Sequence, residues 1–160
     1  MKNQLVAGLL AMALCCTVSS GMCTEKTDTV NNTVRFTIRN NIRLVRSFIQ
    51  YFDKAANERW DTLGNNFLVK FTLNNRQARA LFTNKGNLVY SILVGTEKDL
   101  PEDVRYQVRS NYFDYHITRT TEVNQNRSTG WIVELACNDK RLTVRVEDNE
   151  MEVVQDYIDN

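Results

Sequence analysis

From residue 41 onward, apolar side chains recur at three- and four-residue steps: Ile42, Val45, Ile49, Phe52 and Ala56. That is the spacing of one helix face. It predicts an amphipathic helix over 41–57, with Asn40 or Asn41 as N-cap, Phe48 widening the apolar stripe, and Arg43, Arg46, Gln50 and Asp53 toward solvent. The period then switches to two. Phe67, Val69, Phe71 and Leu73 alternate with Leu68, Lys70 and Thr72, the signature of a half-buried strand. Asn74 and Asn75 turn the chain into a second alternation, Ala78, Ala80 and Phe82. Residues 84–87 then supply the Asn and Gly that tolerate left-handed backbone angles in a tight hairpin, and Leu88, Tyr90, Ile92 and Val94 give a third strand.

A second helix start follows at 99–102, where Asp99 offers a capping side chain, Pro101 an early proline and Glu102 an early acid. Leu100, Val104, Val108 and Tyr112 fall four apart, so the helix is expected to end near Asn111. Tyr115 and Ile117 open an alternating strand running to Val123, and 124–130 is a polar loop. Trp131, Val133, Leu135 and Cys137 form one strand face, and Leu142, Val144 and Val146 the next, with Met151, Val153 and Tyr157 suited to a last, shorter strand. The expected fold is α+β: two helix-plus-antiparallel-meander repeats forming one sheet with the helices packed on one face. Trp60 takes in the first half the part that Ile117 takes in the second. Both Trp60 and Trp131 are expected in the core.

The N-terminus is of another kind. Lys2 precedes an apolar run from Leu5 to Cys16, about a dozen residues against the roughly 20 needed to span a bilayer, and small residues Val18 to Gly21 follow. This is a cleavable secretory signal over 1–21. It is followed by a polar, flexible arm over 22–40 and one domain over 41–160, with no transmembrane helix in the mature form. Leu14, Cys15 and Met22 stand before the candidate lipidation cysteines where a lipobox needs a small residue, which disfavours a lipid anchor. The chain carries 20 Lys+Arg against 19 Asp+Glu, a balance that argues against nucleic acid as partner. Cys23 and Cys137 survive the cut and can pair in an oxidising compartment; the alternative is two free thiols.

The stretch from Phe48 to Tyr157 resembles the PepSY-like domains of secreted bacterial proteins, a family similar in fold to the beta-lactamase inhibitor protein. The matching residues are Phe52 and Ala55-Ala56, Trp60, Phe67-Leu68-Val69-Lys70-Phe71, Ala80-Leu81-Phe82, the Gly86 turn, and Asp99-Leu100-Pro101 followed by Val104, Tyr112, Tyr115 and Ile117. The family has Pro where this chain has Lys54, and small or apolar residues where it has Asn57 and Glu58. The resemblance implies an exported binding or inhibitory module in the periplasm or at the cell surface, and it brings no catalytic residues.

The residues themselves carry no catalytic or metal-binding constellation. His116 is the sole histidine and lies in an alternating strand, which leaves no base for a Ser or Cys nucleophile and too few ligands for zinc. Asp148 and Glu150 lack the liganding series of a calcium loop. No enzyme, metal or cofactor is expected. If the helices cover the face of Phe67, Val69 and Phe71, the opposite face carries Lys70, Arg79, Leu81, Ile132, Glu134, Arg141 and Arg145. Long cations among a few aliphatics suit contact with a protein or peptide of the cell envelope. The rival expectation is a small-ligand carrier with its pocket between helices and sheet.

Overall fold

The computed structural model describes residues 41–158, so the expected signal and arm, and Cys23, lie outside it. Helix α1 (Ile42–Tyr51) leads into four strands, β1 (Ala55–Leu63), β2 (Asn66–Leu73), β3 (Arg76–Thr83) and β4 (Leu88–Gly95). A 3-10 turn (Glu97–Asp99) and helix α2 (Glu102–Asn111) come next, then β5 (His116–Gln125), β6 (Ser128–Cys137), β7 (Lys140–Glu147) and β8 (Glu150–Ile158). The strands form a single antiparallel sheet in sequence order, β1 to β8.

The expected balanced α+β molecule of two repeats is therefore corrected. Strand makes up 59% of the described residues, each helix has only 10 residues, and β4 pairs directly with β5, from Tyr90 opposite Gln125 to Gly95 opposite Thr120. What looked like a boundary between repeats is an uninterrupted ladder. The first helix is also shorter than its pattern implied. It stops at Tyr51, and Ala55 and Ala56 already pair with Leu73 and Thr72 as strand. Ala56 continues the four-residue step from Phe52 by coincidence and is exposed.

Residues directly opposite each other in a sheet share a face, and the register runs Ala78–Leu93–Glu122–Trp131–Val146. Both helices pack on that side. Under α1, Leu44, Phe48 and Phe52 meet Phe67, Val69, Phe71, Ala80 and Phe82; under α2, Leu100 and Val108 meet Trp131, Val133, Leu135 and Val144. Trp131 is 7% exposed. Trp60 is only half-buried, its ring edge-on to Phe48 at 5.2 Å.

The start of α1 is tied to the sheet by the Asn41 side chain and one close approach. Asn41 Oδ1 accepts from the Leu44 N–H at 3.2 Å while its Nδ2 donates to the Asn84 carbonyl at 3.0 Å. Gly86, at φ 83°, brings the β3–β4 hairpin so near α1 that an added Cβ would sit 3.1 Å from the Arg43 carbonyl carbon. Gly86→Ala should therefore cost at least about 1–2 kcal/mol from backbone angle alone. An unchanged urea midpoint would refute this.

Asp99 does not cap α2. It turns back and accepts from the Thr96 N–H at 2.7 Å, leaving Pro101 at the helix start without a side-chain cap. That bond holds the Asp99 carboxyl below its ordinary 3.8. The paired hydrogen bonds from Arg109 (2.9 and 2.7 Å) hold Glu97 below its ordinary 4.5. Both shifts are downward, so their contribution is full above the ordinary values and is lost as pH falls through the lower folded-state values. The melting temperature should hold from neutrality to about pH 5 and then fall. Exposed pairs contribute under about 1 kcal/mol each, so Glu97→Gln with Asp99→Asn should flatten the acid slope slightly. A slope equal to that of the parent would refute the assignment.

Candidate functional site

The side chains that alternate with the core residues face away from the helices, into a hollow of about 1320 Å³. Residues of β1 (Arg59) and β8 (Gln155, Tyr157) line the same space, so the sheet curls across its whole width. Its lining is uneven in charge: Arg59, Lys70, Arg79, Arg119, Arg141 and Arg145 against Glu134 and Glu147.

Of the residues expected on this face, Lys70, Arg79, Ile132, Glu134, Arg141 and Arg145 do line the hollow. Leu81 does not. It is 8% exposed, lies between Leu68 and Tyr90, and adjoins the register shift between Leu81 and Phe82, where three consecutive residues, Ala80, Leu81 and Phe82, are buried. Several lining residues escaped the sequence reading. Ile92, Val94 and Val123 join Ile132 to form an apolar floor. Ile92 and Val94 were hidden because β4 is apolar on both sides, with Leu93 turned to the helices and these two to the hollow. Arg59 was hidden because β1 shows no alternation, and only Ala55 and Trp60 in it are even half-buried.

Among the described residues, ion pairs on this face join Lys70 Nζ with Asp61 Oδ2 at 3.4 Å, Arg119 Nε with Glu134 Oε1 at 3.8 Å, and Arg145 Nη2 with Glu152 Oε1 at 2.9 Å. Ser128 Oγ donates to Glu147 Oε1 at 2.8 Å. Arg141 Nη1 donates to the Asn138 carbonyl at 3.0 Å. Arg59 and Arg79 have no ion-pair partner among the described residues.

His116 lines one end of the hollow, opposite Ala136, and its imidazole makes no hydrogen bond to another described residue. Among the described residues there is no cluster of three His, Cys, Asp or Glu able to hold a metal, and every fully buried side-chain polar atom has a partner. Cys137 ends β6, half-buried, without a disulfide partner among the described residues. The Cys23–Cys137 pairing lies outside them.

Solved structures share this fold at low sequence identity. A BLIP-like protein from Bacteroides fragilis NCTC 9343 superposes with TM-score 0.57 and 12% identity, over 72% of this chain and 84% of its own. A DUF2874 family protein from Bacteroides ovatus ATCC 8483 gives 0.57 and 13%, over 73% and 86%. A protein from Bacteroides eggerthii DSM 20697, provisionally described as periplasmic, gives 0.56 and 14%, over 73% and 87%. The chain thus has a BLIP-like fold, and these neighbours do not point to the PepSY family as such. No protein-family model and no curated protein matches the sequence.

Proposed function

We propose that the chain is an exported, non-catalytic module that binds a protein or peptide of the cell envelope in the hollow of its sheet, and that it is kin to the PepSY-like modules it resembles. The observation that carries this reading is the hollow itself: an apolar floor flanked by long cations, open across eight strands, in a fold shared with a BLIP-like protein and with one provisionally described as periplasmic. Cations at the rim of an apolar surface favour encounter and register, while the floor supplies area. The signal-like N-terminus supports export, and no helix among the described residues is long and apolar enough to cross a membrane. The carrier reading is weaker, because aromatic rings fill its required space between α1 and the sheet. Phe48 lies 5.1 Å from Phe71, and Phe52 lies 4.7 Å from Phe71.

The test uses the mature domain as bait on an envelope fraction, beside two variants. Ile132→Asp puts a charge on the apolar floor; Tyr106→Ser changes an exposed residue of α2, on the opposite side of the sheet. The same protein should be captured by the parent and by Tyr106→Ser, and lost with Ile132→Asp. Capture that survives Ile132→Asp but not Tyr106→Ser would move the binding surface to the helices.

A further inference from the structure

Three cations in the hollow stand in one cross-strand row. Arg59 of β1 is directly opposite Lys70 of β2, and Lys70 is directly opposite Arg79 of β3. Neighbouring strands are about 4.8 Å apart, so the row gathers its charges within about 10 Å. Like charges directly opposite destabilise a sheet, and among the described residues only one of the three is compensated, by Asp61 on Lys70.

The row depends on a bulge. Ala55 and Ala56 pair with Leu73 and Thr72; the register then slips by one residue, with Asn57 at φ 57°. Without the slip, Glu58 would face Lys70 as an attractive pair and Arg59 would turn to the helix side. The slip turns half-buried Trp60 toward Phe48, opposite Val69, but that packing does not require a cation at position 59. Next in the same row come Ile92 and Val123 of the apolar floor.

We infer that the Arg59–Lys70–Arg79 row is a carboxylate-recognition site, and that the hollow takes a segment of its partner bearing Asp or Glu side chains followed by apolar ones. This rests on the hollow being the binding face. Arg presents a planar fork that matches a carboxylate with two parallel hydrogen bonds. A uniformly charged polyanion fits less well. Beyond the row it would meet the apolar floor, and past that Glu134 and Glu147 interspersed with Arg119, Arg141 and Arg145 rather than a continuous cationic track; the whole chain has a net charge of only +1.

The experiment pans a phage library of random peptides against the mature chain, against Arg59→Gln with Arg79→Gln, and against Ile132→Asp. Synthetic copies of enriched peptides are then titrated at low and moderate salt. The parent should select acidic residues followed by apolar ones. Affinity should fall about tenfold for each Arg neutralised, with a smaller salt dependence, while the melting temperature stays level or rises. A lower melting temperature for the double Gln variant would make the row structural and overturn the inference. Peptides without acidic bias, lost with Ile132→Asp but indifferent to the Arg changes, would overturn it and leave the hollow as the binding face. No enriched peptide, or peptides indifferent to every variant, would overturn both. Row-dependent binding of heparin tighter than of any peptide would overturn it in favour of a polyanion.

Discussion

Phe48→Ala should lower the unfolding free energy by about 3–5 kcal/mol, the usual cost of removing a large aromatic from a core. The ring is 2% exposed and lies edge-on to Trp60, Phe71 and Phe82 with centroids at 5.2, 5.1 and 6.2 Å. Such pairs add about 0.5–1.5 kcal/mol each beyond the area they bury. Helix α1 has 10 residues, below the roughly 12–15 at which an isolated helix is even marginal in water. Its stability therefore comes from docking, and Phe48 with Leu44 is the docked surface. Ile49→Ala on the exposed side of the same helix is the control. It keeps helix propensity and removes little packing, so it should stay within about 0.5 kcal/mol of the parent. Urea midpoints at constant slope compare the two. A loss below about 1 kcal/mol at Phe48 would mean that α1 is held by something other than this cluster.

The strands that face helices on one side only were legible in the sequence. Phe67, Val69 and Phe71, and later Trp131, Val133 and Leu135, alternate strictly because every second residue enters a core. Where that condition fails, the pattern fails with it. The edge strand β1 has a single neighbour, carries a bulge at Asn57 and buries little, so its residues read as helix tail and loop. The central strand β4 is apolar on both faces, and its parity cannot be read from alternation. The candidate site inherits both effects. Lys70, Arg79, Arg141 and Arg145 follow from parity on strands whose core face is plain. Arg59 and the floor residues Ile92 and Val94 lie on the two strands whose parity was hidden. Leu81 fails because local register, which composition does not encode, decides whether it is open or covered.

Arg76→Ala should cost about 2–4 kcal/mol, unusual for a residue at a strand end. On the helix side, Arg76 Nη2 donates to Glu122 Oε2 at 3.2 Å and to the Leu93 carbonyl at 3.3 Å, and Nε donates to the Val94 carbonyl at 3.3 Å. Pairing between β3 and β4 stops at Ala78 opposite Leu93, so the guanidinium takes the place of the missing ladder and bridges β3, β4 and β5. Its side chain is 18% exposed and that of Glu122 21%, which leaves Glu122 a poorly solvated charge if Arg76 is removed. The seam separates the two apolar clusters and lies behind the point where the cationic row meets the apolar floor. Glu122→Gln alone should cost less, because Asn124 Nδ2 still supplies a donor at 2.9 Å. The Arg76→Ala, Glu122→Gln double variant should be more stable than the sum of the singles implies, with a coupling of about 0.5–3 kcal/mol. Denaturation of all four proteins measures it. Coupling under about 0.3 kcal/mol would show that the carbonyl contacts, with Asp99 Oδ1 4.0 Å from Nε, carry the effect and that Glu122 is no part of the seam.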